Sequence, residues 1–371
     1  MTSLYFLSTW DPAAYPANLN EPGVWDNRWD NHIKEIQELN PDYIVCWSAE
    51  EVESPNIMRG FFTKMQEWLE KNDRVINLIT PNLTNDTPVS LFTIPGTNIS
   101  IPANRIITEQ SLGCILSFMY YHYSKPSTSF SIEQYASENP DIWYTCYNNK
   151  AKPERAMLVD ILARDNLLDN GLVTFHYPDQ YKWKHHDGTK LMDEPTFNFD
   201  DPSGAWNNSY ILPVKYNTGL IDIACESNFG QGEFFITEKT LKSILIGKPF
   251  ISLSCKDFNT VYLRDYLGFE LYTEMFDYSF DQCEAAEDRA EGVANNINRI
   301  NGMSLSEKLA LYDMLIPKLQ FNKNRLTELY LDKNKIVPAS LKILMTSEVN
   351  IHGYTDSLVL DHMRGMKWIY K

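Results

Sequence analysis

The sequence predicts an α/β chain of two domains, each an open parallel sheet with helices on its faces. Three observations carry this. The 371 residues exceed what one hydrophobic core ordinarily organises. Short apolar strand-like runs alternate with segments of helical spacing, the pattern of parallel strands joined by crossover helices. That alternation stops at the polar stretch Ser124–Pro140 and restarts at Ile142. The expected domains are therefore 1–140 and 141–345, with a tail, 346–371, returning toward the first domain.

In the first domain Leu4–Ser8, Tyr43–Trp47 and Val75–Ile79 read as buried strands bounded by polar or Pro/Asn punctuation. Asn31–Leu39 and Gly60–Leu69 carry apolar residues at helical spacing between them. A Pro/Asn/Thr-rich stretch, Pro81–Asn104, interrupts the alternation, and Glu109–Tyr123 reads as helix.

The second domain opens with the strand Ile142–Asn149, IWYTCYNN. A helix follows, with Pro153 near its start, Met157, Leu158, Ile161 and Leu162 on one face, and Gly171 beyond its end. Leu172–Tyr177 is the next strand, and a long polar insertion runs from it to about Tyr210. Strand Leu220–Cys225, a helix from Glu238, and strand Pro249–Cys255 come after. Gly268–Tyr272 reads as a short strand, Ala285–Ile300 as a helix, and the chain past Ser304 as helices over Lys308–Leu319 and Asn324–Leu331. The last ten residues, HMRGMKWIYK, suit a helix that packs back. Two Rossmann-like domains result.

A net charge of −16 opposes broad, nonspecific binding of polyanions. The six cysteines (Cys46, Cys114, Cys146, Cys225, Cys255, Cys283) are widely spaced and form no metal-ligand pattern. Four of them lie in or beside apolar strands, where a reduced thiol acts as a small hydrophobe, so a cytoplasmic setting is expected. The opening MTSLYFLSTWDP has no basic region and too short an apolar run for a signal peptide. No apolar stretch approaches the about 18 residues that would suggest a membrane span.

The segment Cys225–Phe250, CESNFGQGEFFITEKTLKSILIGKPF, is the most informative. Glu226 ends a strand, a glycine-containing loop follows, and Thr237 fits the N-cap of a helix that Gly247 and Pro249 close. In an open parallel sheet, ligands bind beyond the carboxyl ends of the strands. A helix start there offers N–H groups and a positive dipole end to an anion. Glu238 in the first turn can accept hydrogen bonds from two ribose hydroxyls, and Lys239 can balance a diphosphate. The same residues also suit an ordinary helix start.

Phe235–Lys239 followed by Gly247–Phe250 resembles the donor-binding motif of α-1,3-fucosyltransferases. It resembles still more the fucosyltransferase-like C-terminal domain of phage-encoded glycosyltransferases. Glu226-Ser227-Asn228 is similar to the Glu-Asn stretch before that motif; Tyr144–Asn149, Arg155 and Leu167–Phe175 resemble the opening of the same domain. Leu267–Phe269 with Asp277 and Tyr278 resembles its later acidic stretch, although Tyr278–Asp281 stands where the family has a denser acidic run. The resemblance covers about Ile142–Ile300. It implies a GT-B fold, two Rossmann-like domains facing across a cleft with the C-terminal helix packing back. It also implies a glycosyltransferase with a nucleotide-sugar co-substrate, in which Arg155 and Lys239 hold the diphosphate, Glu238 the ribose, and Glu226 the sugar side. Phe235 stands where the fucosyltransferases carry Tyr, so the donor need not be GDP-fucose.

No Asp-x-Asp pair, the usual cation holder of GT-A transferases, occurs in the chain. Metal-independent transfer is therefore expected, with no cofactor besides the co-substrate. Inverting transfer needs a group that takes the acceptor proton. Asp11, beside Trp10 as a stacking ring, is the first choice; Asp26, Glu50 and Glu51 are others, and each also suits a plain loop. Lys182, Trp183 and Lys184, within Tyr181–His186, interleave cations with aromatic rings, as a phosphate-and-base surface does, and as a solvated loop also does. The expected acceptor is a hydroxymethylated pyrimidine in phage DNA, with the enzyme in the host cytoplasm. The alternatives are a surface or cell-wall glycan acceptor and a noncatalytic nucleotide- or glycan-binding protein.

Overall fold

The structure is a computed structural model, and it describes residues 2–8, 30–47, 65, 68–73, 76–80, 83–84, 91–93, 100–102, 106–110, 114–115, 118–119, 122, 141–148, 152–175, 182–186, 191, 216–227, 229, 233–332 and 349–352. In chain order the strands are β1 (Thr2–Ser8), β2 (Tyr43–Trp47), β3 (Ile76–Thr80), β4 (Leu83–Thr84), β5 (Leu91–Thr93), β6 (Ser100–Pro102), β7 (Ile106–Gln110), β8 (Tyr144–Asn148), β9 (Gly171–Phe175), β10 (Ile221–Cys225), β11 (Glu233–Phe234), β12 (Phe250–Leu253) and β13 (Val349–His352). The longer helices are α1 (Asp30–Leu39), α2 (Pro153–Arg164), α3 (Glu238–Ile246), α4 (Ala286–Asn301) and α5 (Leu305–Leu331). The chain is α/β and divides into two compact units, 1–114 with 332–371, and 115–331. The borders expected after residues 140 and 345 fall outside the described residues.

The first unit holds a parallel sheet in the order β13-β1-β2-β3-β7. Helix α1 docks through Ile33 and Ile36, both buried, and the hydroxyl of buried Tyr5 on β1 donates to Glu35 at 2.6 Å. Two expectations change here. Glu109 and Gln110 belong to β7 rather than to a helix. The stretch expected only to interrupt the alternation contributes β4, β5 and β6, of which β5 and β6 pair antiparallel. The chain returns to this unit through β13, beside β1, a strand whose four residues, VNIH, carry too little pattern to be read from sequence; HMRGMKWIYK lies outside the described residues.

The second unit holds a parallel sheet in the order β12-β10-β8-β9. Helix α2 packs on α4 and α3 on α5. The strand order runs outward from β8 in both directions, so the topological switch point lies between β8 and β10. Gly268–Tyr272 is not a strand; it follows a wide helical stretch, Phe258–Tyr266, not foreseen in the sequence, with bonds such as Tyr262 N–H to Asp257 O. Its start is capped from a distance by buried Asp281, whose carboxylate accepts from the N–H groups of Asn259 and Thr260 at 3.0 and 2.8 Å. The two expected C-terminal helices form one, α5, with Pro317 inside. Pro317 and Asp313 are both exposed, so water can satisfy the carbonyl that the proline leaves without a donor.

A buried polar cluster lies at the amino end of this sheet. Asp222 accepts from Thr145 Oγ1 at 2.6 Å, Tyr216 OH at 2.5 Å and Ser243 Oγ at 2.6 Å. Lys248, 0% exposed, donates to Thr145 Oγ1 at 2.7 Å and to the Tyr216 carbonyl at 2.8 Å. Burial lowers the pKa of Lys248 to about 7, against the opposing pull of Asp222.

Candidate functional site

The carboxyl ends of β8 and β10, the two strands flanking the switch point, feed one cluster. Past β8 the chain enters α2, where Lys152 is the N-cap, Pro153 the first residue and Arg155 stands in the first turn. Proline is preorganised for a helix start because its fixed φ suits the helix and its missing N–H is not needed there. Past β10 comes the turn that begins with Glu226 and Ser227. Helix α3 then starts beside that turn, with Thr237 as N-cap and the Lys239 N–H bound to its hydroxyl at 3.3 Å. Gly247 ends α3 at φ +71°, a left-handed conformation that glycine adopts without steric cost.

Glu226 is 0% exposed. Its carboxylate accepts from Thr237 N–H at 3.2 Å, Thr237 Oγ1 at 2.5 Å and Thr240 Oγ1 at 2.6 Å. Burial raises its pKa, opposed by the Lys239 charge and the two threonine hydroxyls. Glu226 is therefore turned into the fold to hold the start of α3, in place of the sugar-lining position expected for it; its three inward donors offset part of the cost of burying a carboxylate. Phe235 is also buried and packs in the core, where the missing tyrosine hydroxyl leaves no polar atom to satisfy.

Arg155, 2% exposed, reaches the same turn from α2. Its Nη2 donates to the carbonyls of Cys225 at 3.2 Å and Glu226 at 2.9 Å. Lys152 Nζ donates to the carbonyl of Ser227 at 2.5 Å. Lys239 Nζ approaches from α3, with Ser227 Oγ at 3.3 Å, Thr237 Oγ1 at 3.4 Å and Glu238 Oε1 at 2.7 Å. The side chains of Lys239 and Glu238 are 21% and 20% exposed, which leaves each an accessible edge. Burial opposes ionisation of Glu238, but the ammonium groups of Lys239 and Lys242 outweigh it and hold the carboxyl at about 2. Glu238 is thus an acceptor-only carboxylate at any physiological pH.

Five of the expected donor residues, Arg155, Glu226, Thr237, Glu238 and Lys239, consequently meet around one turn. Lys152 was not foreseen: a lysine before Pro153 reads as an ordinary helix start, and only its place after β8 marks it. Three cations gather here against ionised Glu238 and a Glu226 whose ionisation burial opposes. In a chain of net charge −16, such a local excess suits an anion, and the positive dipole end of α3 suits it further.

The basic-aromatic segment has its own anchor. Asp160 of α2 accepts from three successive main-chain N–H groups, those of Lys184 at 3.1 Å, His185 at 2.8 Å and His186 at 2.8 Å. Partial burial opposes ionisation of Asp160, yet these bonds prevail and lower its pKa. Trp183 packs edge-on against Phe175 at the end of β9, with ring centroids 5.3 Å apart. Lys182 and Lys184 are exposed, and Lys184 Nζ lies 3.9 Å from Glu287. Trp10, Asp11, Asp26, Glu50 and Glu51, the acceptor and base candidates, lie outside the described residues.

Among the described residues no group of three or more His, Cys, Asp or Glu side chains is disposed to hold a metal ion, and no helix is long and apolar enough to cross a membrane. Neither a scan against protein-family models nor a search of curated proteins finds a match to this chain.

Proposed function

We propose that this protein is a glycosyltransferase of the GT-B type, carrying a sugar from a nucleotide-sugar to an acceptor hydroxyl, with 115–331 as its donor-binding unit. The observation that supports this most is the meeting of Arg155, Glu238 and Lys239 at the switch point of a parallel sheet. Lys239 and the start of α3 take the diphosphate, and they stabilise the negative charge that grows on it as the glycosidic bond breaks. Glu238 accepts from the ribose hydroxyls. Arg155 acts on the same site through the main chain of Cys225 and Glu226. Asp11, or Glu50, is the proposed base for the acceptor proton. No metal takes part in this reading.

The proposed acceptor is a hydroxymethylated pyrimidine in phage DNA, in line with the resemblance to phage-encoded transferases. A glycan acceptor is the second reading, favoured by the nearness of Lys184 to Glu287, which weakens the pull of that lysine on phosphate. Incubation with radiolabelled UDP-, GDP-, CMP- and dTDP-sugars and with hydroxymethylated DNA, plain DNA or a cell-wall glycan tests both. Label in hydroxymethylated DNA alone supports the DNA reading, and label in the glycan alone overturns it. No hydrolysis or transfer of any donor overturns the enzyme assignment itself.

A further inference from the structure

Arg289, at the end of the first turn of α4, is 2% exposed, and nothing in its sequence context marks it. Its hydrogen bonds all go to main-chain carbonyls. Nε donates to Ser254 at 2.8 Å, Nη1 to Cys283 and to Glu284 at 2.8 Å each, and Nη2 to Phe229 at 3.4 Å. Among the described residues no carboxylate pairs with it. A buried charge without a counter-ion is a costly way to fill space, and an apolar side chain of similar volume would ordinarily stabilise the fold as well or better. The geometry accounts for the arginine differently.

Ser254 follows β12, and Phe229 belongs to the segment that follows β10. The two strands are neighbours, so Arg289 ties together the segments leaving their carboxyl ends. The segment after β10 is the one the donor cluster is built on. Its carbonyls at Cys225 and Glu226 are held by Arg155, that at Ser227 by Lys152, and that at Phe229 by Arg289. Three cationic side chains from two helices thus grip four carbonyls within five residues. Because a trans peptide directs its N–H opposite to its C=O, holding the Glu226 carbonyl on Arg155 turns the Ser227 N–H away from that guanidinium. A planar guanidinium with five donors can span carbonyls from three segments at once, which an ammonium cannot.

We propose that Arg289 is a positioning residue of the anion site: it holds the chain at Phe229, beyond the turn that begins with Glu226 and Ser227, before any ligand arrives, so that Ser227 is already in place beside Lys239. This rests on the donor-site reading above. The test uses the full chain, with UDP and GDP as probes in calorimetric titration and with thermal melting of each protein. Arg289→Lys keeps the charge but loses the fork, and its affinity for the nucleotide that binds the wild type is expected to fall roughly tenfold or more. Asn322→Ala serves as control, because Asn322 bonds the main chain of Glu270 and the Tyr272 hydroxyl in another part of the unit. It is expected to lower the melting temperature while the folded protein keeps wild-type affinity.

Equal affinity of Arg289→Lys and wild type overturns the positioning role while leaving the donor site intact. Binding of neither nucleotide by the wild type overturns the donor reading, and this inference with it. Should Arg289→Lys not fold, hydrogen exchange of wild-type peptides covering Glu226–Phe229 decides. A pre-positioned segment exchanges slowly and equally with and without nucleotide, whereas protection gained only on adding nucleotide contradicts the proposal.

Discussion

Thr237 and Glu226 are joined through both the main chain and the side chain of the threonine, by N–H at 3.2 Å and by Oγ1 at 2.5 Å. The Thr237 hydroxyl has one proton, and Glu226 takes it. Its oxygen is thereby left as an acceptor toward the Lys239 N–H, which is what an N-cap must be. A fully buried carboxylate at the end of β10 thus sets the polarity of the first hydrogen bond of α3.

From this arrangement, Thr237→Val is expected to destabilise the protein by about 1–3 kcal/mol, because it removes the cap and leaves a buried carboxylate short of a donor. Thr237→Ser keeps the hydroxyl, and most of the stability should remain. Urea unfolding at neutral pH compares the two, and an equal loss in both would mean that the methyl group, not the hydroxyl, matters.

Lys239 and Arg155, both expected to contact the diphosphate, should behave differently as alanine variants. Lys239 has an accessible edge, and Lys239→Ala should lose nucleoside diphosphate affinity, by roughly tenfold or more, with little change in melting. Arg155 is buried on two carbonyls, and Arg155→Ala should lower melting temperature and affinity together. Titration and melting of both variants check this; a stable Arg155→Ala with reduced affinity would make Arg155 a direct ligand contact instead.

The Lys248 ammonium gives stability a pH dependence of known sign. Its folded pKa of about 7 lies below the ordinary value, so between the two the unfolded chain binds the extra proton. Stability must then rise with pH across that interval, and Lys242, lowered to about 8 by burial, adds to the rise. Below pH of about 7 both states are protonated at Lys248 and its contribution is lost. Urea unfolding at about pH 7 and about pH 9.5, both within the interval, should give the greater stability at the higher value. Lys248→Met should flatten that difference, and an unchanged slope would show that Lys248 is not the titrating group.

Much of the second unit is legible in sequence because its signals are local. Pro153 opens α2, Thr237 and Gly247 bracket α3, and the apolar runs of β8, β10 and β12 are short and sharply bounded. What escapes depends on partners distant along the chain. Arg289 and Lys152 gain their meaning from carbonyls 60 and 75 residues away, and Asp281 caps a helix 21 residues before it. Glu226 could be singled out from its place after β10, but its inward direction depends on Thr237 and Thr240. The first unit is harder to read: its strands β5 and β6 lie in a Pro/Asn/Thr-rich stretch where no apolar period exists to mark them.

The anchoring of Lys184 by Asp160 separates the two acceptors. Lys182→Glu with Lys184→Glu leaves the main-chain bonds to Asp160 in place and changes surface charge, the exposed Lys184–Glu287 pair included. With a DNA acceptor, transfer should fall sharply and donor hydrolysis should continue. The salt dependence of DNA binding should also flatten, by roughly one counterion for each phosphate that the variant no longer neutralises. Filter binding at graded salt measures the slope, and an unaltered slope removes these lysines from the acceptor surface.

The decisive measurement is calorimetric titration of the wild-type protein and Lys239→Ala with UDP-, GDP-, CMP- and dTDP-sugars, all in excess EDTA. At least one donor is expected to bind the wild type in chelator, since Lys239 and the start of α3 balance the diphosphate, and Lys239→Ala should bind it roughly tenfold more weakly or worse. Binding that needs added divalent cation, equal binding by the variant, or no binding of any donor would contradict this expectation.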